Sequence, residues 1–374
     1  MHVVICTDGI FPYAMGGMQR HSRLLAEHLA RSGGLRITVV HPHGEQVFDP
    51  AFGINEVMVR PIDTGKFYLR ELWKYSGRVA KELDRLSADV ILSQGFCVWK
   101  DMERFSERLV LHPHGLEMFQ GMTAKERIMG APFRAALRYM VRKSRSVISL
   151  GGKLTPVLQN LAQGSKCTVV TIPNAVELPR VASAVARLPG PLRILFVGRF
   201  AFNKGLDVLM TVARRLELEG RTKDVLFQLA GDGPLMATYQ AMGLPKNVEL
   251  LGRVDDDRLF QLYTECDALL LPTRFEGMPT VVLEAMARSR PILVSDVGAS
   301  AELVDGRNGF LLPKGNADAL YTAVTEFGAM PEKQRAKMGA ASLERVVNRF
   351  TWPAVTKEFI TLFNRVAAGS GQRV

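Results

Sequence analysis

The feature that most constrains this chain is an alternation that runs from end to end. Short β-branched or apolar runs are separated by helix-length segments whose apolar residues recur at helical spacing. In the first half the runs fall at 2–6, 37–41, 90–94, 109–112, 146–150 and 168–172. In the second half they fall at 193–197, 226–230, 248–251, 268–272, 292–295 and 310–312. Strands that alternate with helices form parallel sheets covered by helices on both faces. A chain of 374 residues exceeds one ordinary core, so two sets of runs predict two α/β domains, each a doubly wound parallel sheet.

Residues 177–191 hold three prolines and a glycine with no strand pattern, and are read as the link between the domains. The expected boundaries are 1–180 for the first domain and 181–350 for the second. Past Thr351, an N-capping residue type, Trp352, Val355, Phe359, Leu362, Phe363 and Val366 recur at helical spacing and predict a last helix over 351–368 with one buried face.

Composition narrows the class. Cys6, Cys97, Cys167 and Cys266 are scattered without a Cys-x-x-Cys pair, and Met1 leads directly into the first apolar run rather than into a signal peptide. A reduced, cytoplasmic setting is expected. No apolar stretch approaches the roughly 20 residues of a membrane span. The formal net charge is +11, and residues 1–180 carry 24 basic against 16 acidic residues, which concentrates the excess in the first half. That asymmetry points to an anionic partner, namely nucleic acid, an acidic substrate or a membrane surface. Nucleic acid is not expected, because no recognition motif accompanies the basic residues and no aromatic residues are interleaved with them for stacking.

In open α/β sheets the loops at the carboxyl ends of strands carry ligands. After the first run, Gly16 and Gly17 open a helix and would let backbone amides approach a phosphate, although a plain strand-to-helix loop explains them as well. His112-Pro-His114-Gly115 ends another run, and an imidazole there can serve substrate hydroxyls or developing charge; packing is its rival role. A metal site from His112 and His114 needs further ligands, and no metal is expected. In the second half Gly198-Arg199 and Lys204-Gly205 place two cations after a strand, suited to clamping a diphosphate. Gly231-Asp-Gly233-Pro lacks the third glycine of a dinucleotide fingerprint and is read as a tight turn. Asp255-Asp-Asp257 has metal-like spacing but is better explained by helix capping. The most informative segment is Arg274-Phe-Glu276-Gly277-Met278-Pro279-Thr280, followed by Glu284. Here Glu276 sits before a helix, Pro279 suits its first turn, the amides near Gly277 to Thr280 face an anion, and Glu284 lies about a turn further in.

Taken in order, the Gly16-Gly17 loop, His114-Gly115, Ile172-Pro-Asn174, Arg199 with Lys204, Ala230-Gly-Asp-Gly-Pro, and Glu276-x7-Glu284 resemble the retaining glycosyltransferases of the GT-B architecture, family 4. The resemblance spans nearly the whole chain. It implies two Rossmann-like domains facing a central cleft, with the last helix packing back on the first. It further implies a nucleotide diphosphate sugar held mainly by the second domain. Arg199 and Lys204 would meet the phosphates, Glu284 the ribose, Glu276 the donor sugar, and Arg253 and Val254 the border of the base. Gly17 would approach the phosphates and His114 the transferred sugar. No cofactor and no metal are implied. Ala175 and Gln19 stand where many members carry glycine and glutamate, which leaves the acceptor side less defined than the donor side.

Between residues 125 and 145 there are seven basic residues and one acid, with Arg134, Arg138, Arg142 and Arg145 beside Phe133, Leu137, Met140 and Val141. This basic amphipathic helix is expected near the acceptor entrance, against an anionic membrane or a lipid-linked glycan acceptor; an ordinary half-buried helix gives the same pattern. The expected function is retaining sugar transfer to a glycan or lipid-linked saccharide for cell-envelope polysaccharide or glycolipid synthesis, peripheral on the cytoplasmic face of the inner membrane. A nucleotide-sugar epimerase or a non-catalytic nucleotide-sugar binding protein is the alternative, and Glu276-x7-Glu284 argues against the epimerase.

Overall fold

The computed structural model describes residues 1–44, 46–65, 67–120, 123–179 and 189–370. Much of the expected linker, residues 180–188, lies outside the described residues. The chain forms two compact units: Met1–Asn174 with Trp352–Val374, and Ala175–Thr351.

Unit 1 runs β1 (His2–Cys6), α1 (Gly17–Arg31), β2 (Arg36–His41), β3 (Asn55–Met58), α2 (Tyr68–Arg85), β4 (Val90–Gln94), β5 (Leu109–His112), α3 (Ala124–Lys143), β6 (Ser146–Ser149), α4 (Leu154–Ala162) and β7 (Thr168–Thr171). Its seven strands pair in parallel in the order β3-β2-β1-β4-β5-β6-β7. The inner strands are buried along their whole length, as β-branched runs covered on both faces must be.

Unit 2 runs β8 (Leu192–Val197), α5 (Leu206–Leu218), β9 (Val225–Ala230), α6 (Met236–Ala241), β10 (Val248–Gly252), α7 (Asp256–Glu265), β11 (Ala268–Leu271), α8 (Thr280–Met286), β12 (Ile292–Ser295), β13 (Gly309–Leu312), α9 (Ala317–Ala329) and α10 (Glu332–Arg349). Its six strands are parallel in the order β10-β9-β8-β11-β12-β13. The entry and exit of this unit are pinned together, since the Val176 amide donates to Phe350 O at 2.8 Å.

The last helix, α11 (Trp352–Ser370), belongs to unit 1 although it follows unit 2 in sequence. Trp352, Phe359 and Phe363 are at most 1% exposed, and the Trp352 ring stacks on His28 of α1 with centroids 5.1 Å apart. In each sheet the order of connection reverses once, between β1 and β4 and between β8 and β11. At such a switch the flanking loops part and leave a crevice, so the loops after β1, β4, β8 and β11 are where a ligand is received.

Candidate active site

In unit 2 the two loops at the switch meet. After β8, the segment Phe202–Lys204 forms one 3₁₀ turn and Gly205 turns the chain into α5. After β11, Thr273 donates its hydroxyl to Asn203 O at 2.9 Å, and the Arg274 amide donates to the same oxygen at 2.7 Å. This stitching brings Lys204 Nζ to 2.5 Å from Glu276 Oε1, with side chains 22% and 14% exposed. An ammonium and a carboxylate thus share one partly shielded spot at the switch point. Arg199, on the same loop as Lys204, is exposed and has no ion-pair partner among the described residues.

Beyond Glu276, Gly277 leads through buried Met278 and Pro279 into α8, which begins at Thr280. Pro279 stands just before the helix rather than inside its first turn, with φ −72° and ψ 115°. Glu284 is half-buried on α8 and accepts the Tyr263 hydroxyl at 2.8 Å. Burial, and then the Glu284 carboxylate, push the Tyr263 phenol well above its ordinary range, which keeps it a donor. Arg253 is exposed and Val254 half-buried in the turn between β10 and α7.

Two further motifs of the sequence have structural roles in unit 2. Asp255 caps α7, accepting the Arg258 amide at 2.8 Å. Gly231 lies where a Cβ would come within 1.9 Å of Gly198 O, so this glycine permits close backbone approach beside the Arg199 loop.

In unit 1, Gly16 and Gly17 are exposed at the start of α1, and a Cβ on Gly17 would meet no atom within 4 Å. His114 is partly exposed at the loop after β5 and has φ 62°, an uncommon conformation for a residue with a Cβ. Its Nε2 lies 2.5 Å from Gln94 Oε1 at the end of β4, which fixes the ring at the switch. Behind it sit two imidazoles. His112 stacks on His114 with centroids 3.8 Å apart and planes 25° from parallel, and His21 meets both rings edge-on. Burial, followed by His112 and His21, holds the His114 pKa well below the ordinary imidazole range, so the ring is neutral near pH 7.

One ring nitrogen from each of the three histidines lies within 4.8 Å of the others. The same three rings pack against one another, two face to face and one edge-on.

Asn174 is buried at the end of unit 1. On α3, Arg134 donates to Met118 O at 2.8 Å and Arg142 to Gln163 O at 2.8 Å, while Arg138 is exposed without a hydrogen-bonded partner among the described residues. The three arginines, with Phe119 and Tyr139, line an open groove.

Sequence reasoning gave no role to His21, Gln94, Asp207, Tyr263 or Arg274. The first four lie far in sequence from the motifs they touch, and only a contact could reveal them. Arg274 stood inside the most informative segment, and its spacing of two from Glu276 was the available signal.

Comparison with known proteins agrees with both halves of this description. Residues 15–180 match the model described as Glycosyltransferase Family 4, and residues 191–328 the model described as Glycosyl transferases group 1. An uncharacterized glycosyltransferase of Methanocaldococcus jannaschii is 33% identical over 162 residues, which cover 42% of this chain and 44% of that relative. The phosphatidyl-myo-inositol mannosyltransferase of Mycobacterium leprae is 27% identical over 98% of each chain. Among solved structures, a sucrose-phosphate synthase from Thermosynechococcus elongatus superposes with TM-score 0.81 at 20% identity, over 98% of this chain and 99% of that one, and so shares the fold. With both of its Rossmann-like units matched in order, the chain belongs to the group 1, family 4 glycosyltransferases of GT-B architecture.

Proposed function

We propose that this protein transfers a sugar from a nucleotide diphosphate sugar to a hydroxyl of a glycan or lipid-linked acceptor, with retention of configuration and without a bound metal. The observation that carries the proposal is the meeting of Lys204 and Glu276 at the switch point of unit 2. An ammonium placed there compensates a diphosphate as it departs, and a preorganised contact of that kind is worth about 3–4 kcal/mol in rate. Arg199 adds a second cation from the same loop, and Glu284 accepts from vicinal ribose hydroxyls. Glu276, already hydrogen-bonded to Lys204, presents its remaining acceptor capacity to hydroxyls of the donor sugar. Backbone amides at Gly277 to Thr280 add partial positive charge, and Arg253 with Val254 border the base.

From unit 1, Gly16 and Gly17 serve the phosphates and neutral His114 the transferred sugar. A neutral imidazole can donate through one nitrogen and accept through the other, whereas imidazolium only donates. No covalent nucleophile is required: the diphosphate leaves, its oxygen takes the acceptor proton, and the acceptor attacks from the face the leaving group vacates. The mannosyltransferase relative is named for a phosphatidyl inositol acceptor. That name and the basic face of α3 support an acceptor presented at an anionic membrane, reached peripherally, since no described helix is long and apolar enough to span one.

The test is nucleotide release by the purified protein from UDP-, GDP- and ADP-sugars, in EDTA and with lipid extract as acceptor. Selective release stimulated by acceptor is expected. Lys204→Ala should reduce release at least a hundredfold with melting temperature preserved, and Glu284→Ala should do so in a protein that stays folded but melts lower, because the buried Tyr263 hydroxyl loses its acceptor. Near-normal turnover in either folded variant overturns the donor-site assignment.

A further inference from the structure

We propose that Arg274 is a positioning residue of the donor site, a brace that sets the spacing between Lys204 and Glu276 by clamping the loops that carry them. The proposal rests on the reading of unit 2 as the donor site. Its basis is a set of contacts in which one buried guanidinium holds both sides of the Lys204 turn while its own backbone leads to Glu276.

Arg274 Nη1 donates to Asp207 Oδ1 at 2.7 Å and Nη2 to Asp207 Oδ2 at 2.6 Å, a planar two-point fork. Nη1 also donates to Phe202 O at 2.9 Å, and the guanidinium carbon lies 4.3 Å from the centre of the Phe202 ring. Phe202 is two residues before Lys204 and Asp207 three residues after it, so the turn is held at both ends by one side chain. Glu276 follows two residues behind Arg274. With the Arg274 amide bound to Asn203 O, the peptide between brace and carboxylate has little freedom to slide against the turn.

The chemistry requires arginine. The Arg274 side chain is 8% exposed, so its charge must be met locally, and the Asp207 fork meets it. Burial raises the Asp207 carboxyl, but the Arg274 fork and charge together with backbone hydrogen bonds from residues 207 and 208 more than offset it and hold the group below its ordinary range. Lysine at 274 offers a point charge without the fork or the flat face that stacks on Phe202. Neither Arg274 nor Asp207 is placed against substrate, and both act through Lys204 and Glu276.

The consequence is coupling. Without the brace, the turn keeps its internal backbone bonds, and the Thr273 hydroxyl and Arg274 amide bonds to Asn203 O still join the two loops, but both guanidinium anchors are lost and Lys204 is held less firmly opposite Glu276. Catalysis depends on sub-ångström placement of such groups, so loss of the brace appears mainly as loss of turnover.

The experiment is a double-mutant cycle on the full chain, using release of nucleotide from the best sugar donor of the UDP, GDP and ADP panel and melting temperature as a parallel readout. Arg274→Met is expected to lower kcat at least 30-fold with less than a fivefold rise in donor KM, and Arg274→Lys to restore less than a third of the loss. In the Lys204→Met background, Arg274→Met should cost less than a further threefold, because the group it positions is already gone. A full 30-fold loss repeated in that background, or wild-type turnover in folded Arg274→Met, overturns the brace. Asp207→Asn, which removes one arm and the charge, should show the same non-additivity and serves if Arg274→Met does not fold. Wild-type turnover in Lys204→Met alone would instead remove the donor-site reading beneath it.

Discussion

At Gly205 the chain turns with φ 69° between Lys204 and α5, and a Cβ there would lie 1.9 Å from the carbonyl oxygen of Pro272. The obstacle is backbone and cannot swing away. Gly205→Ala therefore pays about 1–2 kcal/mol for the left-handed conformation and must also push the two switch-point loops apart. Urea unfolding followed by far-UV circular dichroism should show the loss, and donor turnover should fall with it; a variant of unchanged midpoint and turnover would mean the turn adapts freely. The Lys204-Gly205 pair was legible in sequence as a cation beside a glycine, but the reason for the glycine was not. It is a close approach to a residue 67 positions away, and periodicity carries no information about which loop lies across a crevice. The same holds for Arg274, whose guanidinium serves Asp207 and Phe202. His21 is a similar case: its helical spacing marks a buried face, and only the fold shows that this face packs against two more imidazoles.

At the scale of elements the strands were largely legible, because parallel strands buried on both faces are written as unbroken apolar runs. The exception is β3, whose sequence Asn55-Glu-Val-Met carries two polar residues and whose burial is only partial at the sheet edge. An edge strand is solvated along one side and need not announce itself. Helix α3 was legible as basic and amphipathic, and its start is defined by a capping box in which Thr123 and Glu126 exchange side-chain and backbone bonds. Thr123→Ala should cost about 1 kcal/mol, read as a lower urea midpoint by tryptophan fluorescence. The structure adds what spacing alone did not give: Ile128 and Met129 near the start of the helix are 73% and 64% exposed, with Arg138 and Arg142 following on its outer side. Apolar groups beside arginines suit the boundary between headgroups and acyl chains. Each basic residue near an anionic surface contributes about 1 kcal/mol. Replacing Arg138 and Arg142 together by alanine should therefore lower partitioning onto phosphatidylglycerol vesicles by about tenfold or more at low salt, measured by co-sedimentation. Equal sedimentation of variant and wild type would remove α3 from any membrane contact.

At the scale of the whole molecule, titration and fluorescence are both segregated. All seven histidines and all three tryptophans lie in residues 1–174 and 352–374, so unit 1 reports on itself and carries the groups that respond near neutral pH. Burial lowers the His21 pKa to about 3, and His112 and His114 move the same way. The unfolded chain binds a proton at His21 near pH 6.5. With the folded value depressed, His21 leaves stability intact above about pH 6.5 and removes it progressively as pH falls toward 3. One unit of pH is about 1.4 kcal/mol per group, so His21 alone withdraws about 2 kcal/mol by pH 5. In unit 2 the carboxylates of Asp207, Glu219 and Asp305 are lowered, and the stability they give is lost only below their unfolded values near pH 4. Urea titrations at pH 7.5 and pH 5.0 should therefore show a falling midpoint by tryptophan fluorescence, ahead of the far-UV signal that both units contribute. His21→Phe, which keeps an aromatic ring against Trp352 and Phe359, should flatten that fall. A fluorescence midpoint that does not move between the two pH values would show that the histidine cluster titrates in the folded unit as it does in the unfolded chain.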